Sequence, residues 1–199
     1  MAKIILIVLV VLIGIGGFAG CNSYNSLVSL EEGVEASWAQ VENVYQRRAD
    51  LIPNLVNTVK GASNFEQETL TAVIEARAKA TQMTAEITPE VLNDPQLMQR
   101  FQAAQGELSS TLSRLMLTVE RYPELKANQN YLALQSQLEG TENRIAVERR
   151  KFNTSAQAFN TKIRRFPTSI MAGIGGFQKK AYFEATAGSD QAPTVDFGT

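Results

Sequence analysis

Histidine is absent from this chain of 199 residues, and cysteine occurs once, as Cys21. These absences exclude a disulfide within the chain, a zinc cluster of Cys and His, and a catalytic Ser-His or Cys-His pair. They also exclude the Glu-x-x-His motif that holds metal ions in some helical bundles. The net charge of −1 gives no general attraction for nucleic acid. We therefore expect no cofactor, no metal and no nucleic-acid partner.

Glycine is scarce in the middle of the chain, and its clusters near the two ends form no nucleotide-binding motif. In Gly14-Ile15-Gly16 the later glycine of the dinucleotide motif is replaced by Ala19, and no Gly-Lys-Ser/Thr occurs. Paired carboxylates on helices come with no sign of a pocket. The sequence therefore predicts a protein that is not an enzyme.

The longest run without a charged or polar side chain lies near the N-terminus, in residues 4–19. As a helix it covers about 24 Å, slightly less than the bilayer core of about 30 Å, and local thinning of the bilayer can absorb the difference. Four interpretations compete: a retained anchor, which we favour, a cleaved signal peptide, a lipoprotein signal and a buried core helix. The side chains assigned to the anchor are Ile4, Leu6, Val8, Leu12, Ile15 and Phe18.

The lipoprotein interpretation depends on Phe18-Ala19-Gly20-Cys21, which resembles the bacterial lipobox that ends in an acylated cysteine. Ala-Gly-Cys fits that pattern, whereas Phe18 replaces the usual aliphatic residue. Processing would make Cys21 the first residue of the mature chain. For a retained single-pass anchor, Lys3 is the only charged side chain before the span. The positive-inside rule then places the N-terminus in the cytoplasm and the bulk of the chain on the periplasmic or extracytoplasmic side.

A long helix is predicted over residues 27–59, where apolar residues recur every three or four positions along one face. Arg48 takes one position of this stripe. Because an isolated buried charge is costly, we expect Arg48 in a core ion pair or in a contact with another chain. Pro53 lacks the donor for the Ala49 carbonyl, which predicts a kink or a short break. The apolar residues are Leu27, Leu30, Val34, Trp38, Val41, Tyr45, Ile52, Leu55 and Val59.

Three further amphipathic helices follow, and no segment alternates with the period of a strand. The second helix starts at a capping box, Ser63 with Glu66, and runs to about Ile87. The third runs over residues 95–122 and the fourth over about 128–165. The predicted fold is all-α: an antiparallel up-down-up-down bundle with two long and two shorter helices, plus an N-terminal transmembrane helix.

Three regions are predicted: an anchor in residues 1–21, a helical bundle in 22–167, and a Gly-rich segment with an extended tail in 168–199. The two long helices are expected to extend beyond the short pair at the membrane end. Their apolar stripe would there form a two-helix stalk that needs a partner. This predicts a homo-oligomer.

The later part of the chain is basic, whereas residues 31–42 hold carboxylates and no base. One interpretation is that the basic residues pair with the acidic helix beside them. The other is that they face anionic lipid head groups. The Gly-rich segment 166–177 returns to the bilayer surface or packs at the base of the stalk, and residues 188–199 form a flexible or docking tail. The candidate lipid-facing residues are Arg164, Arg165, Lys179 and Lys180.

Three long motifs resemble the LemA family: YNSLVSLEEGVEASWAQVENVYQRRADLIPNLVNTVKG from Tyr24, RYPELKANQNYLALQSQLEGTENRIAVERRKFN from Arg121, and FPTSIMAGIGGFQKKAYFEA from Phe166. The resemblance extends to Phe197. It implies a bacterial protein with an N-terminal anchor and a helical body, which family descriptions often place in the cytoplasm. It also implies links to envelope stress beside a membrane metalloprotease and to magnetosome membrane formation.

Within the first motif we single out positions for interaction or structure: Trp38, Arg47, Arg48, Asp50 and Pro53. Trp38 is expected in the core, because a large aromatic residue on an apolar stripe is usually buried. Two functions are compatible with this sequence. The first is a scaffold that self-associates through its long helices at the membrane surface. The second is an adaptor for a membrane protease or another envelope protein.

Overall fold

The computed structural model describes residues 1–61 and 65–184, without the side chains of Ala2, Leu12 and Gly16. All regular structure in these ranges is helical, which confirms the predicted all-α class and the N-terminal apolar helix. The elements are α1 (Ala2–Lys60), α2 (Gln67–Glu86), a 3-10 turn (Pro89–Val91), α3 (Pro95–Val119), α4 (Pro123–Lys126), α5 (Gln129–Arg164) and α6 (Thr168–Gly175).

Helix α1 is continuous over 59 residues and joins the apolar N-terminal run to the bundle without an interruption. At 1.5 Å per residue it is about 88 Å long. The boundary that we drew after residue 21 therefore falls inside one helix. Pro53 also lies inside α1, so the short break predicted there is wrong. Pro53 has no amide hydrogen for the Ala49 carbonyl, and a side chain from α2 donates to that carbonyl instead, as described below.

Local sequence signals set several helix ends. The Asp94 carboxylate accepts hydrogen bonds from the amides of Gln96 and Leu97 at the start of α3. Asn128 caps α5 in the same way. Ser63 of the predicted capping box lies outside the described residues. Helix α3 ends at Val119, before the predicted end at residue 122, because the residue that precedes Pro123 is kept out of the helical conformation and the short α4 starts at Pro123.

Two pairs of helices run antiparallel. Between α1 and α5, Ser37 lies 2.9 Å from Ser155, and further along α1 the chain contacts an earlier turn of α5 at Glu142. Between α2 and α3, Glu66 pairs with Arg121 at 2.8 Å, whereas the end of α2 contacts the middle of α3. These contacts define the pairs, and the up-down-up-down order of the complete bundle stays a prediction.

The apolar side chains form two clusters along the bundle. We call the cluster nearer the apolar run the proximal core and the other the distal core. The proximal core includes Leu27, Val34, Trp38, Val41, Tyr45, Leu92, Met98, Phe101, Ile145, Phe152, Phe159 and Phe183. The distal core includes Ile52, Leu55, Val59, Leu70, Val73, Leu108, Leu112, Leu115, Val119 and Leu138.

The exposed apolar stalk that we predicted is not present. Leu27, Val34 and Val41 are completely buried. The chain covers them itself with the turn before α3, with α6 and with an extended segment, residues 177–184, that we call the strap. The region after residue 167 is therefore not only a Gly-rich segment and tail, because it contributes a helix and part of the core. Residues 188–199 lie outside the described part of the chain.

Candidate functional site

Among the described residues, α1 is the one helix that is long and apolar enough to cross a membrane. The side chains assigned to the anchor are exposed at Ile4, Leu6, Val8, Ile15 and Phe18, and the side chain of Leu12 is not described. Large apolar side chains on every face of a helix suit a lipid environment rather than water. Cys21 is a free, exposed cysteine just after this run.

A polar layer crosses the bundle at Arg48, whose side chain is only 1% exposed. Its Nη1 donates to the Glu142 carboxylate at 2.6 Å and to the Ser109 hydroxyl at 2.8 Å. Its Nη2 donates to the side-chain carbonyl of Gln105. The Gln105 amide nitrogen continues the layer by donating to the Ala80 carbonyl at 3.1 Å. Arg48 is thus held by an ion pair within its own chain.

The layer separates the two apolar cores. On α1, Arg48 lies between Tyr45 of the proximal core and Ile52 of the distal core. On α5, Glu142 takes the corresponding place, one turn from residues of each core. A buried polar contact of this kind is satisfied in only one alignment of the helices. We therefore interpret the layer as a device that fixes the register of α1, α3 and α5.

An open groove borders the polar layer, and its lining includes Arg48, Gln102, Arg149 and Glu184. The Arg149 guanidinium is already occupied, since it donates to Gln102 Oε1 at 3.1 Å and to the Glu184 carbonyl at 3.2 Å. The described residues contain no group of three or more His, Cys, Asp or Glu that could hold a metal ion. The groove is a polar surface between helices, and the guanidinium groups of Arg48 and Arg149 in it make contacts within the chain.

Pro53 and Arg77 form a second interhelical contact. Proline has no amide hydrogen for the carbonyl four residues earlier, which is that of Ala49. Arg77 Nε from α2 donates to this carbonyl at 2.7 Å and replaces the missing hydrogen bond. The motif around Arg48 thus ties α1 to three other helices. Arg47 and Asp50 are exposed and stand apart from these contacts, and Asp50 accepts a hydrogen bond from Gln46 on its own helix at 2.7 Å.

Trp38 is buried at the centre of an aromatic cluster. Its ring centroid lies 5.5 Å from those of Phe101 and Phe152 in edge-to-face geometry, and 6.0 Å from that of Phe183. Such pairs add about 1 kcal/mol each beyond the burial of their area. Phe183 comes from the strap, which the sequence analysis did not identify as part of the core. The strap therefore stabilises the helix that carries the N-terminal apolar run.

Two asparagines on α5 hold the backbone of the strap. The Asn160 amide group donates to the Lys180 carbonyl at 2.9 Å and accepts from the Lys180 amide at 2.8 Å. Asn153 makes the same pair of bonds to Phe183, at 2.8 and 2.9 Å. Seven residues of helix span about 10.5 Å, and three residues of extended chain span about 10 Å, so the spacings match. The strap therefore runs antiparallel to α5, with its backbone hydrogen-bonded to asparagine side chains of that helix.

The basic residues at the end of the bundle nearer the apolar run have different environments. Lys180 is buried, its ammonium lies 2.7 Å from the Glu31 carboxylate, and it also lies over the Phe159 ring. Its assignment as a lipid-facing residue is wrong, because the strap carries it into an ion pair with α1. The other interpretation, pairing with the acidic helix, describes this residue correctly. Arg164, Arg165 and Lys179 are exposed.

One carboxyl group near the Lys180–Glu31 pair has a shifted pKa. Burial raises the pKa of Glu35 above its ordinary value, and the negative charges of Glu32 and Glu31 raise it further. Lys180 lowers the pKa of Glu35, less strongly than Glu32 raises it and more strongly than Glu31 does. The start of the bundle thus concentrates negative charge on α1, which the strap neutralises only in part.

Comparison with known proteins gives a consistent result. The profile of the LemA family matches residues 37–197, which begins after the apolar run and includes the polar layer and the strap. Magnetosome protein MamQ of Magnetospirillum gryphiswaldense is 27% identical over 179 residues, covering 83% of this chain and 66% of that protein. Magnetosome protein MamQ 2 of Paramagnetospirillum magneticum is 26% identical with the same coverage. Protein LemA of Metamycoplasma hominis is 26% identical over 146 residues, covering 73% of this chain and 62% of that protein. The match thus spans about two thirds of the length of these relatives.

Proposed function

Since the chain belongs to the LemA family, we propose that it is a single-pass, membrane-anchored helical scaffold without catalytic activity. The observation that carries this proposal is the continuity of α1, which makes the apolar run and the first bundle helix one rod. A rod of this kind holds the bundle at a fixed height and tilt above the bilayer. Relatives named as magnetosome proteins support a role in the organisation of a membrane.

The contacts of several polar side chains support a role without catalysis. Arg48, Gln105 and Glu142 are committed to one another between the two cores. Arg149 is committed to the strap. This arrangement supports a structural role for the family motif, in which the Arg48 region holds the bundle together. We propose the up-down-up-down order of the long and short helices, and the antiparallel contacts within the pairs α1–α5 and α2–α3 support it.

Self-association is the second part of the proposal. The apolar stripe of the long helices is covered within the chain, so an association surface has to lie on their outer faces. Anchored rods share one plane and one orientation, which raises their effective concentration and favours side-by-side contact. Val28 on α1 and Leu132 and Val147 on α5 are exposed apolar residues on those faces.

Cys21 offers a direct test, because it is exposed and immediately follows the apolar run. Full-length protein in vesicles should form a disulfide-linked dimer under mild oxidation, and the Cys21→Ser variant should not. Light scattering in detergent should give a mass larger than that of one chain. A monomer in both experiments would contradict the scaffold and favour the adaptor for a membrane protease or another envelope protein.

The orientation and the state of the N-terminus belong to the same proposal. Lys3 before the span supports a cytoplasmic N-terminus with the bundle outside. Labelling of Lys126→Cys in a Cys21→Ser background in intact cells tests this, because Lys126 is exposed. Labelling only after the cells are opened would show the cytoplasmic alternative. The mass of the intact protein should match a chain that starts at the N-terminal methionine or at Ala2. A mass for an acylated chain that starts at Cys21 would instead establish the lipoprotein.

A further inference from the structure

Helix α6 packs against α1 where the apolar run ends and the bundle begins. Met171 Sδ lies 3.4 Å from the point that a β-carbon on Gly20 would occupy, and the ring of Tyr24 lies 3.1 Å from the equivalent point on Gly175. The ring of Tyr24 also contacts that of Phe177, with centroids 5.5 Å apart. Since Gly20 directly follows the uncharged residues 4–19, α6 lies beside the end of the span.

The direction of α6 follows from the same contacts. The pairs Met171–Gly20 and Gly175–Tyr24 occur in the same order along both helices, so residues before Met171 lie on the side of the apolar run. These residues include Ile170 and, before the helix begins, Phe166. The beginning of α6 therefore points toward the level at which α1 enters the bilayer.

The outward face of α6 is a row of large apolar side chains. Ile170 and Ile174 lie one helical turn apart and are 54% and 74% exposed, and Phe166, two residues before the helix begins, is 82% exposed. The opposite face buries Thr168 and Ala172 against the bundle, and α6 contains no charged residue. An exposed apolar row of this length on a short helix is unusual for a surface that faces only water.

Basic side chains border this row. Arg164 and Arg165 are exposed directly before it, and Lys179 is exposed after it. No Asp or Glu occurs in residues 149–183. An apolar face bordered by Lys and Arg is the composition of a surface that inserts into the interface of an anionic bilayer, with its apolar side chains about 5–10 Å into the boundary between head groups and acyl chains.

We propose that α6 is an interfacial membrane element, whose Phe166, Ile170 and Ile174 insert among the lipids of the bilayer that α1 crosses. Because α6 lies beside the end of the span, we expect lipid to cover its exposed apolar side chains. The bundle then has two attachments to one membrane, the span and α6, which together set its tilt relative to the bilayer. This inference rests on the membrane anchoring proposed above.

Site-directed fluorescence quenching in full-length protein tests the proposal. In a Cys21→Ser background, a single cysteine replaces Ile170, Ile174, Val10 or Leu117, and each carries the same environment-sensitive probe. All four replaced side chains are exposed, so the cores are unaffected, and circular dichroism checks the helix content. Vesicles of phosphatidylcholine and phosphatidylglycerol contain lipids that are spin-labelled either near the head group or deep in the chain.

Leu117 is the matched control, because it is 73% exposed and apolar, like Ile174, but lies on α3 between two residues of the distal core. We expect the shallow label to quench the probes at positions 170 and 174 about as strongly as the deep label quenches position 10, with little quenching at position 117. Positions 170 and 174 that behave like position 117 would overturn the proposal.

The other outcomes are distinguishable. A probe at position 10 that no lipid quenches would refute the membrane anchor itself, and with it the proposed function. Quenching at position 10 without quenching at 170 and 174 would refute only the inserted α6. Energy transfer between labelled copies at position 174, without lipid quenching, would show that a second copy covers this face, and would also overturn the proposal.

Discussion

The ion pair between Arg48 and Glu142 provides the sharpest test of the polar layer, because its two partners differ in burial. The side chain of Arg48 is 1% exposed and that of Glu142 is 40% exposed. Removing one partner of a buried pair costs about 3–5 kcal/mol when the remaining charge stays buried. In Glu142→Ala the charge that remains is Arg48. Because water can enter the vacated position, and Ser109 and Gln105 still accept from Arg48, we expect the lower limit, about 3 kcal/mol.

The opposite substitution should cost less. In Arg48→Met the remaining charge is Glu142, which reaches solvent, and the new side chain can pack between the two cores. The loss is then mainly that of the hydrogen bonds to Ser109 and Gln105, about 1 kcal/mol. The double variant should be about 2 kcal/mol more stable than Glu142→Ala alone, because it no longer buries an unpaired guanidinium.

Thermal unfolding of the full-length protein in detergent, followed by circular dichroism, measures these differences. For a chain of this size about 3 kcal/mol corresponds to a decrease in Tm of about 9 °C. The matched control is Glu107→Ala, which breaks a pair with Lys79 whose side chains are 50% and 59% exposed; its cost should be below about 0.5 kcal/mol. An Arg48→Met variant that is less stable than Glu142→Ala would refute the reasoning.

Three further outcomes follow from single contacts. Arg77→Leu should lower the free energy of unfolding by about 1 kcal/mol in the parent chain. In a Pro53→Ala background the loss should be less than half of that, because the backbone regains its own donor for the Ala49 carbonyl. Equal losses in this double-mutant cycle would contradict the prediction. Asn160→Ala should speed hydrogen exchange of the strap amides by about tenfold or more, measured by mass spectrometry, and unchanged exchange would show that the strap is held by other contacts. Burial, followed by repulsion from Glu32, raises the pKa of Glu35. A raised folded-state pKa stabilises the fold at low pH, and this contribution is lost as the pH rises through the window between the unfolded and folded values. Glu35→Gln should therefore be more stable than the parent at pH 7, with a difference that disappears below about pH 4, and an unfolding series that shows a constant difference would argue against it.

The long helices could be predicted from the sequence because their apolar residues recur every three or four positions over many turns. The residues on α1 that were assigned to one stripe, such as Leu27 and Val59, are in fact buried together along one face. The partner of Arg48 could not be predicted in the same way. Glu142 is 94 residues away along the chain, and the contact between them depends on the order and register of the helices.

The sequence indicates the strap and α6 less clearly than it indicates the long helices. A helix of eight residues with two glycines has too few turns to show a period, and an extended segment that binds side chains of a helix has none. The informative positions were polar residues on otherwise apolar faces. Asn153 and Asn160 are seven residues apart on α5, and Gln105 interrupts the stripe of α3 as Arg48 interrupts that of α1. Polar residues that interrupt apolar stripes at the same level of two packed helices indicate contacts between those helices. A search for apolar periodicity alone overlooks them.

The register set by the polar layer has a consequence at the other end of the molecule. Apolar stripes with a seven-residue repeat can be displaced by one repeat, about 10.5 Å, and still bury similar side chains. A displacement of α5 against α1 by that distance would separate Arg48 from Glu142 and leave a buried charge unpaired, so the layer excludes it. Helix α6 directly follows α5, and an interfacial helix must lie within about 5–10 Å of the head groups. The same displacement would carry α6 out of that zone. The buried ion pair in the middle of the bundle therefore determines the depth at which the proposed second membrane attachment meets the bilayer.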